Sequence, residues 1–204
     1  MDVLVSLAIY IVFFEVLHSL TAAKFFKKKV YQFIEPGAYR FIYTIVSVVT
    51  VLPILYLWFT VRNASSAPLY TIGFPLNLVM YLFIIAGFYL VLKSLILIDP
   101  LDFIGLKAVF KIKPAEKSSG LITGGVYQIT RHPLYLGGIL ILWSSPQMHT
   151  VDILVNTLFT LYFILGGVLE ERKLEEEFGD VYTLYKKNVS MLIPVKWIRG
   201  FIRG

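Results

Sequence analysis

The 204-residue chain contains no cysteine. Disulfides, thiolate metal sites, iron–sulfur clusters and cysteine nucleophiles are therefore excluded. Charge is also scarce: 16% of residues are Asp, Glu, Lys or Arg, against about 25% in an ordinary soluble domain. Hydrophobic residues make up 57%. A chain this poor in charge faces lipid over most of its surface. Internal repeats and low-complexity tracts are lacking. The first apolar run follows Asp2 directly, with no basic stretch before it and no small-residue cleavage site after it. It is expected to be a retained span, not a signal peptide.

What is present is a series of apolar runs near the roughly 20 residues that cross a bilayer. They cover Val3 to Ala23, Tyr39 to Val61, Leu76 to Ile98, Leu134 to Pro146 and Val151 to Leu169. The fourth is short, and only the turn "QMHT" separates it from the fifth, so these two are expected to pair as a hairpin. The net charge of +6 lies at the ends of the runs. Basic residues crowd the segments after the first, third and fifth runs, leaving only Arg62 after the second and none after the fourth. By the positive-inside rule this predicts the N-terminus outside and the C-terminus in the cytosol. The basic charge then serves topology and lipid headgroups, not nucleic acid. Periodic Leu174, Phe178, Val181, Tyr182, Tyr185 and Val189 predict an amphipathic helix over 170–188. The expected fold is an all-α integral membrane protein of about five transmembrane helices. It forms a single membrane domain over 1–204, with three N-terminal spans in 1–98. In 99–204, a cytosolic loop, a helical hairpin and a C-terminal amphipathic helix would close a cofactor pocket.

Ionisable groups within or beside spans are costly, which makes each a functional hypothesis. His18 lies about five residues, roughly 8 Å, from the cytosolic end of the first run, with Glu15 one turn deeper. Arg131 and His132 open the fourth run, and Glu170 and Glu171 close the fifth. The predicted topology brings all of them to one leaflet. Simpler roles exist for each: Glu15 and His18 pairing with one another or with Lys93, Arg131 snorkelling to phosphates, His132-Pro133 acting as a helix start. His149, in the outer turn, is expected to face solvent. The stretch "SSGLITGGVYQITRHPLYLGG" places glycines and small hydroxyls just before a helix start, where backbone N–H groups approach a ligand closely. A carboxylate such as Glu170 accepts hydrogen bonds from hydroxyl or ammonium groups.

"GVYQITRHPLYLGG" followed by "EERKLEEEFGDVYTLYKKNVSMLIP" resembles the isoprenylcysteine carboxyl methyltransferase and phospholipid methyltransferase superfamily over residues 118–194. "LHSL", "YRFIYTIVS" and "DPLDFIGLKAVF" resemble a narrower branch. That branch holds the methanethiol S-methyltransferases and the membrane proteins associated with nitrite and nitric oxide reduction. The resemblance implies S-adenosyl-L-methionine as methyl donor. Ser119, Gly120, Leu121 and Ile122 match the family's loop, Tyr127, His132, Pro133, Leu134 and Tyr135 its motif contacts, and Glu170 its first acidic residue. Two positions depart from the pattern. Gly166 stands where the carboxyl methyltransferases carry an arginine for the substrate carboxylate, and Ser119 replaces a loop histidine.

These departures turn the expectation from a prenylcysteine carboxylate towards a small apolar thiol or another lipophilic acceptor, methylated at the cytosolic leaflet of a prokaryotic cell membrane. His18 is then the expected base or orienting group, because imidazole titrates near neutrality, and Arg131 the expected stabiliser of the thiolate. Isoprenylcysteine carboxyl O-methylation and lipid methylation remain alternatives. So does a non-enzymatic haem or metal membrane protein using His18 and His132, and so does a scaffold. No metal site is expected for the enzyme.

Overall fold

The computed structural model describes residues 3–64, 67–112 and 120–203. In chain order the elements are α1 (Val3–Ala22), α2 (Lys24–Val30), α3 (Pro36–Ala64), β1 (Tyr70–Thr71), α4 (Leu76–Ile98), α5 (Pro100–Phe103) and α6 (Leu106–Val109). A 3-10 turn over Gly125–Gln128 follows, then α7 (Pro133–Trp143), β2 (Gln147–Met148), α8 (Thr150–Phe178), α9 (Asp180–Asn188) and α10 (Val195–Arg203). The chain is an all-α multi-pass membrane protein, apart from the two-residue antiparallel pair of β1 with β2.

Among the described residues four helices, α1, α3, α4 and α8, are long and apolar enough to cross a membrane. The expected count of five is corrected here, because α7 has 11 residues. At 1.5 Å per residue it reaches roughly half of the hydrocarbon core. A second correction concerns the C-terminal amphipathic helix. The long helix does not stop at Leu169 but runs through the acidic segment to Phe178. It breaks at Gly179, whose φ of +53° is the left-handed conformation glycine adopts freely, so 170–188 is the end of α8 plus a separate α9.

The chain forms two compact units, interleaved in sequence. Unit 1 comprises Met1–Thr71, Asp99–Lys117 and Gln147–Leu158; unit 2 comprises Ile72–Ile98, Ser118–Pro146 and Phe159–Gly204. In unit 1, α1 packs on α3. Leu7, Ile11 and Phe14 are buried at helical spacing, while Ile9, Val12, Phe13 and Val16 on the other faces are exposed. Exposed apolar side chains around a helix whose backbone bonds are satisfied internally are what lipid demands. The segment after α4 docks on the start of α3: a Cβ on Gly105 would lie 2.5 Å from the Phe41 nitrogen, Arg40 pairs with Asp102 at 2.9 Å, and Lys107 pairs with Asp99.

In unit 2, α4 packs on α7. The contact runs through two glycines: a Cβ on Gly87 would lie 2.7 Å from the Gly137 carbonyl oxygen, and one on Gly137 would lie 2.6 Å from that of Gly87. Small residues that let two backbones meet are the usual adhesive between helices in lipid, where no hydrophobic drive operates. This contact holds the short α7, and with it the His132-Pro133 turn, against a full-length span.

Candidate functional site

The site in unit 2 is built where α7 begins and α8 ends. Thr130, Arg131 and His132 run alongside Ser190 and Met191. The Arg131 N–H donates to the Ser190 carbonyl at 2.9 Å and the His132 N–H to that of Met191 at 3.2 Å. The Thr130 hydroxyl donates to the same Met191 carbonyl at 2.5 Å. Residues 189–191 are thus a strap fastened across the start of α7.

Arg131 locks this arrangement. Its Nε donates to Glu171 Oε1 at 2.7 Å, and its Nη2 lies 2.6 Å from the same oxygen. Its Nη1 donates to the carbonyl of Lys186 at 3.2 Å and to that of Val189. Both carbonyls close the end of α9, where the helix leaves acceptors without internal partners. Lys186 adds a second cation, with Nζ 3.3 Å from Glu171 Oε2 and 2.6 Å from Glu175 Oε1. These partners hold the Lys186 ammonium above its ordinary pKa, the hydrogen bond to Glu175 contributing most. The Arg131 and Glu171 side chains are 8% and 9% exposed, so the pair is effectively desolvated.

Glu170, next in the chain, behaves differently. Its side chain is 48% exposed, and it accepts the Tyr135 hydroxyl at 2.9 Å. The Tyr135 ring lies parallel to that of His132, centroids 5.3 Å apart, and to that of Phe163, 5.5 Å apart. His132 Nδ1 is 3.6 Å from Glu170 and Nε2 is 3.3 Å from Glu171, but Nε2 is buried and makes no hydrogen bond. Burial holds the imidazole below its usual pKa of 6.5, outweighing the two glutamates that pull it upward. His132 is therefore neutral near pH 7. Tyr127, whose carbonyl accepts the Tyr185 hydroxyl at 2.6 Å, has its own phenol pushed up to about 12 by burial and by the Glu170 charge. It remains a proton-bearing donor.

The glycine pair of α8 divides its work. A Cβ on Gly167 would sit 2.6 Å from the Met191 methyl, whereas one on Gly166 would meet only the Tyr135 hydroxyl, at 3.9 Å. Gly167 admits the strap; Gly166 leaves space beside Tyr135. Of the expected loop, Gly120 is exposed and Leu121 and Ile122 are half-buried, and Ser119 lies outside the described residues. Pro133 is buried and Leu134 half-buried at the start of α7.

His18 belongs to unit 1. Ser47 Oγ lies 2.9 Å from its Nδ1 and Tyr43 Oη 2.5 Å from its Nε2. Ser47 donates its own proton to the Tyr43 carbonyl at 2.7 Å, so Nδ1 carries the hydrogen that Ser47 accepts, and Nε2 accepts from the Tyr43 hydroxyl. His149 is half-buried, not solvent-facing as expected, with Nδ1 buried. Among the described residues no group of three His, Asp or Glu side chains is arranged to hold a metal ion.

The structure therefore brings Arg131, His132, Tyr135 and Glu170 together within unit 2, and places His18 in a separate polar cluster within unit 1. Sequence reasoning missed the strap carbonyls, Lys186 and Tyr185 as partners, and the Tyr43–Ser47 pair. Only the last carried a usable signal, two polar residues four apart in a span.

The NnrU protein model matches residues 6–183. The chain belongs to the NnrU protein family. Among similar proteins, a methanethiol S-methyltransferase of Pseudomonas deceptionensis is 31% identical over 193 residues, covering 90% of this chain and 70% of the relative. One of Mycobacterium tuberculosis is 30% identical over 185 residues, covering 89% and 74%. A protein-S-isoprenylcysteine O-methyltransferase of Schizosaccharomyces pombe is 34% identical over 85 residues, covering 39% and 35%. No solved structure matches. These relatives place this NnrU family member in the membrane methyltransferase superfamily.

Proposed function

We propose that this chain transfers the methyl group of S-adenosyl-L-methionine to a small apolar thiol such as methanethiol. The observation that carries the reading is Glu170, a half-exposed carboxylate aimed by Tyr135 and set on the buried Arg131–Glu171 pair. An anionic acceptor in this position suits the ribose hydroxyls or the ammonium of the donor. The neutral His132 and Tyr135 rings suit its adenine and its sulfonium, since cations are drawn to aromatic faces. The residues present therefore fit the donor. When bound, it supplies a methyl group already activated on a sulfonium.

The remaining work falls to the protein. Ser119, Gly120, Leu121, Ile122, Tyr127, Pro133 and Leu134 are assigned to the donor's side, and positioning is the largest part of catalysis for so reactive a methyl. The guanidinium of Arg131 is committed to Glu171 and to the carbonyls of α9. We therefore assign it to holding the strap, and no longer to the thiolate. A thiol reacts as its thiolate. His18 is assigned as the base, taking that proton through the Tyr43 hydroxyl that already donates to its Nε2, with Ser47 holding the opposite nitrogen. Gly166 leaves the site without the cation that a carboxylate acceptor needs, which favours a neutral thiol. The reaction is assigned to the cytosolic leaflet of a prokaryotic cell membrane, a reading supported by the Lys and Arg at the ends of the apolar runs, with one membrane domain over 1–204.

The test is purified protein with methyl-labelled S-adenosylmethionine, offered methanethiol and a prenylcysteine in parallel. Label in volatile dimethyl sulfide is the expected result. Label in a prenylcysteine methyl ester, or in neither product, would overturn the thiol reading.

A further inference from the structure

The C-terminal helix α10 is used by none of the chemistry above, and its sequence is sorted by side. At 100° per residue, Val195, Trp197, Ile198 and Ile202 share an arc of about 160°, and Lys196 and Arg199 share another of about 60°. No acidic residue occurs from Lys186 to the C-terminus, a stretch with five basic ones.

Every side chain described along α10 is exposed, and one basic residue reaches back to the protein. Lys196 donates from Nζ to the carbonyls of Lys186 and Lys187, at 2.8 Å each, and so caps α9. The apolar side turns outward: Trp197 is 48% exposed, Ile198 44% and Ile202 76%. A helix that spends a basic residue on the protein and shows its apolar arc to the surroundings is inverted for water. It is correctly made for the headgroup boundary of a bilayer, where apolar side chains sink and Arg side chains reach phosphates.

We propose that α10 is an interfacial anchor that binds the anionic lipid surface of the membrane. The net basic charge of the segment selects anionic over zwitterionic headgroups. Only three residues separate Met191 from α10, and the Met191 carbonyl fastens the strap to Thr130 and His132. Seating α10 on lipid thus holds the strap across the start of α7 and ties the site of unit 2 to the surface charge of the leaflet.

The absence of native cysteine makes the test direct. Ile202→Cys, labelled with a polarity-sensitive dye, is placed in nanodiscs of pure phosphatidylcholine or of phosphatidylcholine with phosphatidylglycerol. The dye should shift to the blue and be quenched by lipid-borne nitroxide in the anionic discs, and less so in the zwitterionic ones. Arg199→Glu should remove the difference while leaving the thermal transition unchanged. Equal quenching in both discs, or a dye reached by soluble iodide in both, would overturn the proposal. So would a blue dye that lipid nitroxide does not touch, since α10 would then be packed on protein. None of these readouts needs S-adenosylmethionine, so they stand or fall apart from the methyltransferase reading. If both hold, S-adenosylhomocysteine should bind several-fold more tightly in the anionic discs.

Discussion

Each unit buries one carboxylate against an arginine, and the two centres are finished differently. In unit 1, Asp152 accepts Trp58 Nε1 at 2.6 Å, Arg62 Nε at 3.0 Å and the His149 N–H at 2.8 Å. Arg62 passes a further bond to the Gln147 carbonyl at 3.2 Å. The donors sit near the end of α3 and just before α8, and Arg62 carries the tie on to β2, so three chain segments meet around Asp152. In unit 2, Glu171 ties α7, α8 and α9 through Arg131 and Lys186. But there a second carboxylate, Glu170, lies beside the tie with half its surface open. A centre whose acceptors are all consumed by fixed partners is scaffold; one that keeps an oriented group in reserve can meet a ligand.

The largest effect should follow from Arg131→Ala. It leaves the buried Glu171 with Lys186 in place of its closest cation and frees the carbonyls at the end of α9, a loss of about 3 kcal/mol. Thermal unfolding should fall steeply, and S-adenosylhomocysteine binding, read by calorimetry, should vanish with it. Binding lost at an unchanged thermal transition would break the comparison, because Arg131 would then act on the ligand and not on the strap. Glu170→Gln should do the reverse. The thermal transition should stay put while binding weakens roughly tenfold to a hundredfold, as expected for losing about 1.5–3 kcal/mol of hydrogen bonding to a charged group. Unchanged affinity would remove Glu170 from the site.

Asp152→Asn tests the scaffold side. An amide turned towards Arg62 Nε and the His149 N–H sets donor against donor in a buried place, costing about 1–3 kcal/mol. Stability should drop and donor affinity should not. A matching loss of affinity would show that unit 1 also shapes the donor site.

Much of the frame was legible beforehand. α4 runs over Leu76–Ile98 as the apolar run does, and α1 differs from its run by one residue, because hydropathy is the property a span must have. Other features left no side-chain trace. Residues 189–191 fasten the site through backbone carbonyls, which every residue carries, so no pattern marks them. The Arg131–Glu171 pair joins positions forty apart, and the doublet Glu170-Glu171 does not announce which carboxylate turns inward. The apolar run stops at Leu169 and the periodic residues after it suggest a new amphipathic helix, yet the backbone stays helical through the acidic segment until Gly179 releases it. α10, with nine residues, is too short to register as a span.

The smallest effect sharpens the contrast between an engaged and an unengaged histidine. His18 has both ring nitrogens in hydrogen bonds, while His132 keeps Nε2 buried without one. The His132 pKa in the folded chain lies below 6.5 because burial disfavours its cation. Below 6.5 the unfolded chain therefore binds a proton that the folded chain refuses, so the stability owed to neutral His132 is full above that value. It is lost as pH falls from 6.5 towards the lowered folded pKa. His132→Asn removes the titrating group and cannot take part in this loss. The gap in thermal transition between the parent protein and His132→Asn should thus be widest near pH 7.5 and narrow towards pH 5.5. A gap that widens in acid would mean that His132 carries its proton and pairs with Glu170 and Glu171. Unit 2 would then hold a cation where a neutral ring is assigned beside the sulfonium.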